Sequence, residues 1–279
     1  RKRHREIVQR IPIGYATHCP DTGHFPDCLI GAYQPIASIA EAVGASTVIG
    51  GNDATLFGDS QKMIASLAED ISKAKSHCHI LSYIMLDDHA GKKIARALTE
   101  ATSRGIPCRL LIDAVGSKDF LRSKTCKDLR DSGVHVTAAL PANVLRAALV
   151  RLDLRNHRKI AVIDNAIGYV GSQNIAEPSF APKPKYAPWI DASVRLVGPA
   201  VKELQAVFVQ DWFMDSDENL SSLLKEQVDV EKNGFPVQFM ATGPNSNNSA
   251  LSSLLQTSFH SAREELVITT PYFCPDTST

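Results

Sequence analysis

Apolar positions recur with a helical period over residues 60–75, where Met63, Ile64, Leu67 and Ile71 share one stripe. The next segment, HCHILSYIML (77–86), is a short, nearly continuous apolar run, the pattern of a strand buried on both faces. The same alternation then repeats. GKKIARALTEATSRG (91–105) predicts a helix stopped at Gly105, and PCRLLIDAVG (107–116) a strand with a polar end. DFLRSKTCKDLRDSG (119–133) predicts a helix with Gly133 just beyond it, and VHVTAA (134–139) another strand. Helices and strands in turn argue for an α/β fold, a sheet sandwiched by helices.

Outside this block the pattern changes. Residues 1–35 are irregular, with Pro, Gly and His throughout, and a short helix is expected over 36–43. Gly50-Gly51-Asn52-Asp53 predicts a turn that opens the ordered domain. Residues 141–156 form a basic connector holding Arg146, Arg151 and Arg155. KIAVID (159–164) and AIGYVG (166–171) predict two strands joined at Asn165, followed by a proline-rich loop (178–188). WIDASVRLVG (189–198) alternates as a strand, Pro199 starts a helix through LQAVFVQDWF, and 216–234 is a polar connector. The helix-strand-acid pattern of 66–88 is echoed at 254–276, pairing Leu67 with Leu255, Ile80 with Ile268 and Asp88 with Asp276. The expected division is a basic, irregular segment (1–49), a first domain (50–234) and the beginning of a second repeat (235–279).

The net formal charge is zero, and no stripe interleaves basic and aromatic residues, so nucleic acid is not an expected partner. Charge is nonetheless uneven. Arg1, Lys2, Arg3, Arg5 and Arg10 form either a solvated tail or a juxtamembrane stretch on anionic headgroups. No apolar run approaches the roughly 20 residues that span a bilayer. The chain begins with Arg, so an upstream segment is expected to have been removed. Six cysteines with no C-x-x-C pair suggest reduced thiols and a cytosolic exposure. His18, Cys19, His24 and Cys28 are zinc-type residues, but their spacing matches no metal template, and neither a metal nor another cofactor is expected.

The densest chemistry lies in NHRKIAVIDNAIGYVGSQN (156–174). His157 and Lys159 stand two residues apart, so both side chains leave one face of a strand. A lone histidine there would be read as a strand-start residue with a surface lysine beside it; Lys159, Asp164, Ser172 and Asn174 in register argue for a site. Histidine can form a covalent phosphoryl intermediate, or act as general acid or base for about 10²–10⁴-fold. Lys159 offers a fixed cation for the non-bridging oxygens of a phosphate. Ser172 and Asn174 add neutral donors from the following loop. Asp164 completes the catalytic motif but points to the opposite strand face, which suits it to holding the loop.

His157-x-Lys159-x4-Asp164-x6-Gly171-Ser172-x-Asn174 is the motif of the phospholipase D superfamily. The chain resembles bacterial cardiolipin synthases in ordered blocks: GGNDATLFGD (50–59), SYIMLDD (82–88), RLLIDAVGS (109–117), LRNHRKIAVID (154–164), GYVGSQN (168–174), WIDASVRLVGP (189–199), LQAVFVQDW (204–212) and ITTPYFCPD (268–276). The resemblance implies a phospholipase D-like mixed sheet flanked by helices, the first of two repeats with the start of the second. It implies a transferase of phospholipid biosynthesis that converts two phosphatidylglycerol molecules into cardiolipin and glycerol through a phosphohistidine. It implies association with the bacterial inner membrane, the catalytic domain lying on the cytoplasmic side. It also assigns an acidic residue of the strand after G-S-x-N to orient the histidine, and Asp191 occupies that place; the other reading of Asp191 is an exposed strand acid. The family carries two such motifs, which meet across a pseudo-twofold interface, and this sequence holds one. The chain alone is therefore expected to turn over little, and its apolar repeat interface to favour self-association. Two other functions fit the residues: a hydrolytic phosphodiesterase (phospholipase or nuclease), or a half-site that binds phosphate without turning it over.

Overall fold

Eight strands form one mixed sheet in a computed structural model that describes residues 33–44, 47–140, 155–181, 184–225, 234–242 and 250–270. They are β1 (Ile49–Phe57), β2 (Cys78–Ser82), β3 (Cys108–Asp113), β4 (His135–Ala139), β5 (Ile160–Ile163), β6 (Ile167–Gly171), β7 (Ser193–Val197) and β8 (Phe235–Val237). Their order across the sheet is β4-β3-β2-β5-β6-β7-β1-β8. β2, β3 and β4 run parallel, whereas every pairing from β2–β5 onward is antiparallel. The helices are α1 (Gln34–Gly44), α2 (Ser60–Ser72), α3 (His89–Ser103), α4 (Lys118–Arg122), α5 (Lys124–Asp131), α6 (Val201–Ser216) and α7 (Ala250–Ser261). This is the mixed sheet flanked by helices that the sequence implies.

Each sheet face has its own apolar layer. On one, Met63, Leu67 and Ile71 of α2 and Ile94 and Leu98 of α3 pack with Ile80, Leu110 and Ile163. On the other, Leu204, Val207, Phe208 and Trp212 of α6 pack with Leu81, Leu111 and Val162. Covered twice, β2 is buried at every position, which explains its unbroken apolar run. The helix starts are set locally: Asp59 accepts from the Lys62 amide and Asp88 from the Gly91 amide, each capping its helix.

Three expectations are corrected. Residues 50–53 form part of β1, not a turn. Asn52 is fully buried there; its amide group donates to Ile49 and Phe235 carbonyls and accepts from the Ala200 amide, so tertiary bonds satisfy a residue that composition assigns to a turn. The helix expected over 119–133 is two helices. Ser123 breaks it by adopting an extended backbone and capping α5 through the Cys126 amide. The strands expected over 77–86 and 189–198 are shorter, β2 stopping at Ser82 and β7 starting at Ser193, because the remaining residues turn into loops at one sheet end.

The echo of α2 near the chain's end is indeed helical, as α7, which packs against α1. The strand part is not reproduced: Ile80 is 2% exposed in β2, but its counterpart Ile268 is 47% exposed and residues 262–270 carry no strand. The basic run at residues 1–10, the His18–Cys28 cluster, Arg146, Arg151, Cys274 and Asp276 lie outside the described residues. Among the described residues no helix is long and apolar enough to cross a membrane.

Candidate active site at one end of the sheet

Strand direction decides which residues can meet. β5 is antiparallel to β2 and β6, and β7 is antiparallel to β6. The starts of β5 and β7 therefore share one sheet end with the finishes of β2 and β6. That end collects His157 and Lys159 before β5, Ser172 and Asn174 after β6, Asp191 before β7, and Tyr83 after β2. Asp164 follows β5 and lies at the other end, roughly 20 Å from His157 at about 3.3 Å per residue.

The segment that enters β5 is anchored on both sides of the sheet. Arg155 donates from Nε and Nη2 to Asp113 at 2.9 and 2.8 Å. The pair is buried, with side chains 6% and 1% exposed. Asp113 also accepts from the Val115 and Gly116 amides at 2.9 and 2.8 Å. On the α6 side, Asn156 and Arg158 both donate to Asp211 at 2.7 Å, and Arg158 reaches the Thr242 carbonyl. Alternation does the rest: with Asn156 and Arg158 committed to Asp211, His157 and Lys159 project elsewhere. Arg155, which the sequence places in a loose connector, is thus a buried strut. Asp211 and Tyr83 carry no sequence signal that marks them for the site, and Asp113 only a faint one. The polar end of the strand expected over 107–116 is the one hint of Asp113.

The His157 ring stacks on Tyr83 with centroids 4.0 Å apart and planes at 17°. Partial burial and the Lys159 charge push its pKa below the ordinary 6.5, with Asp113 pulling the other way and Arg155 adding to the depression. The neutral, nucleophilic form is therefore favoured. Lys159 donates from Nζ to the His157 carbonyl at 2.6 Å and lies 5.6 Å from the Tyr83 ring centroid. Burial lowers its pKa, opposed by Asp191. Asp191, expected to orient His157, instead accepts from the Trp189 indole at 3.2 Å and acts electrostatically on Lys159. Among the described residues no hydrogen bond reaches either ring nitrogen of His157.

Ser172 pairs with the next strand. Its amide donates to the Ala192 carbonyl at 2.9 Å and its Oγ accepts from the Ala192 amide at 3.0 Å. Gly171 permits this approach, since a Cβ there would sit 2.3 Å from the Ala192 carbonyl oxygen. Asn174 accepts through Oδ1 from the Ile84 amide at 3.1 Å, which leaves its NH2 end as the donor. Gln173 is buried and donates to the Asn174 and Ala176 carbonyls, stiffening the loop. A small, mostly apolar cleft lined by Met63, Leu67, Ile80 and Ile175 also takes in Ser82, Lys159, Gln173 and Ser193.

Asp164 terminates the other end of β5. It accepts from the Lys75, Ser76 and His77 amides at 2.8, 2.7 and 3.0 Å, and from the Ser76 hydroxyl. Burial opposes its charge, but these bonds outweigh it and hold the carboxyl below its usual range. Asp164 and Asn165 both have positive φ, as a primed hairpin turn requires.

A mixed sheet whose β5–β6 hairpin carries H-x-K-x4-D-x6-G-S-x-N defines a phospholipase D-like protein. The family model described as "Cardiolipin synthase, PLD-like domain" matches residues 67–212, and the chain belongs to that family. Cardiolipin synthase A of Yersinia pseudotuberculosis serotype O:1b (strain IP 31758) is 34% identical over 249 residues, which is 87% of this chain and 51% of the relative. Cardiolipin synthase A of Wigglesworthia glossinidia brevipalpis is 34% identical over 225 residues, 79% of this chain and 46% of the relative. The chain thus spans about half the length of the curated relatives it matches. Among solved structures, phosphatidylserine synthase from Haemophilus influenzae Rd KW20 shares the fold, with a TM-score of 0.57 at 16% identity over 87% of this chain and 61% of that one.

Proposed function

We propose that the chain carries one half of an active site that transfers a phosphatidyl group between two phosphatidylglycerol molecules, giving cardiolipin and glycerol. One observation supports this most: a histidine biased toward its neutral form lies beside a lysine, two neutral donors share its sheet end, and the chain belongs to the cardiolipin synthase family. A ring nitrogen of His157 attacks the phosphorus of one phosphatidylglycerol, and the bond from phosphorus to the headgroup glycerol oxygen breaks. The departing alkoxide takes a proton from a general acid and leaves as glycerol. The free hydroxyl of a second phosphatidylglycerol then attacks the phosphorus, its proton passing to the same group, and the phosphorus–nitrogen bond breaks. Lys159 balances charge on the non-bridging oxygens, while Ser172 and Asn174 donate hydrogen bonds to them. The acid–base group is a second histidine of the H-x-K-x4-D type, and the 279 residues hold one. Phe235–Val237 complete the first domain's sheet as β8, so the second domain is taken to begin after them, with self-association as its substitute. Asp164 acts on the site only through the fold. The lipid substrate places the protein at a membrane surface, with the basic run at residues 1–10 resting on anionic headgroups.

The test is product identity. Full-length protein is incubated with phosphatidylglycerol vesicles, and the lipids and glycerol are quantified. Equal amounts of cardiolipin and glycerol are expected, with little turnover by residues 1–279 alone. Phosphatidic acid as the main product would replace transfer by hydrolysis.

A further inference from the structure

We propose that Tyr83 is a positioning residue that sets the plane of the His157 imidazole by stacking, the job expected of a carboxylate. This rests on the reading of His157 as the reacting group. The rings lie 4.0 Å apart at 17°, a face-to-face contact that rotation of the imidazole would break. Among the described residues, no hydrogen bond to either His157 ring nitrogen supplies an alternative hold, and Asp191 is bonded to Trp189.

Tyr83 is itself fixed. Its carbonyl accepts from the Ser117 hydroxyl at 3.1 Å, and the same hydroxyl oxygen accepts from the Met85 amide at 2.9 Å. Gly116 runs directly against it: a Cβ there would sit 2.5 Å from the Tyr83 carbonyl oxygen and 3.1 Å from its ring. The next residue, Ile84, is tied to Asn174. The tyrosine is therefore clamped between the 114–117 loop and the loop after β6. Its ring also faces Lys159, 5.6 Å from the centroid, so one aromatic surface relates the histidine to the lysine. The negative face of an aromatic ring favours positive charge, and the imidazole becomes cationic when a nitrogen takes up a proton or a phosphorus. The stack strengthens at that moment, which assigns Tyr83 an effect on kcat rather than on KM.

The experiment compares Tyr83→Phe with Tyr83→Leu in the full-length protein, which separates an aromatic face from apolar bulk. Tyr83→Phe should stay within about twofold of wild type, and Tyr83→Leu should lower kcat about three- to tenfold with KM unchanged. In parallel, the His157 ring-proton resonance should be shifted upfield by ring current in wild type and Tyr83→Phe, and should move back downfield in Tyr83→Leu. Wild-type kcat in Tyr83→Leu, an equal loss in Tyr83→Phe, or a resonance unmoved by Tyr83→Leu would overturn the assignment. The resonance reads the stack whether or not phosphatidyl transfer occurs, so failure of the functional reading is recognised separately.

Discussion

Asp113→Ala removes the acceptor that four donors share: Nε and Nη2 of Arg155 and the amides of Val115 and Gly116, all at 2.8–2.9 Å. The guanidinium left behind is 6% exposed, so water cannot replace the lost partner. Stranding one member of a buried ion pair costs about 3–5 kcal/mol. The two amides add less, since Val115 is exposed and its amide can recover water. Against a total stability of about 5–15 kcal/mol this is a large share. With a urea dependence of about 3 kcal/mol per molar, the unfolding midpoint should fall by roughly 1–1.7 M. The assay is urea unfolding followed by tryptophan fluorescence, to which Trp212, buried in α6, and Trp189 both contribute. Asp113→Ala combined with Arg155→Met should be more stable than Asp113→Ala alone, because the stranded charge is gone. Activity should decline before the fold does, since Arg155 is two residues from His157. A midpoint change below about 0.3 M, or no recovery in the double variant, would refute the view of this pair as the strut of the site.

Other expectations follow from the same geometry. Gly171→Ala should cost about 1–3 kcal/mol in thermal or urea unfolding, because a Cβ 2.3 Å from the Ala192 carbonyl oxygen forces β6 and β7 apart. Asp164→Ala should cost about 2 kcal/mol, because the Lys75, Ser76 and His77 amides lose the carboxylate they share. Its folded pKa is depressed, so its contribution is full above the unfolded value of about 3.9 and fades as pH falls through the folded value; wild type should lose stability more steeply than Asp164→Ala in that acid range. His157 is also depressed, so its neutral form persists to lower pH and the acid limb of kcat/KM should lie below 6.5; a limb above 6.5 would contradict the environment described.

The repeated helix-strand alternation was legible because α2, β2, α3 and β3 each bury a periodic apolar set. The motif was legible because its spacing is set by a hairpin, which holds five residues in fixed register. What stayed hidden was long-range. Asn52 lies in a strand because two backbone groups distant in sequence, the Phe235 carbonyl and the Ala200 amide, accept from it and donate to it. Asp113 and Asp211 look like ordinary acids until Arg155 and Arg158 are placed on them. Tyr83 sits inside an apolar run, and only the turn after Ser82 brings its ring to His157. Asp191 is at the expected sheet end, but its partner is Trp189, a choice made by the local loop that no spacing rule encodes.

The most direct measurement is cardiolipin formation by full-length protein bearing His157→Ala, on phosphatidylglycerol vesicles, with the circular dichroism spectrum as the check on folding. We expect an unchanged spectrum and no product above background. A variant that makes cardiolipin at close to the wild-type rate would remove His157 from the chemistry, and with it the site described at this end of the sheet.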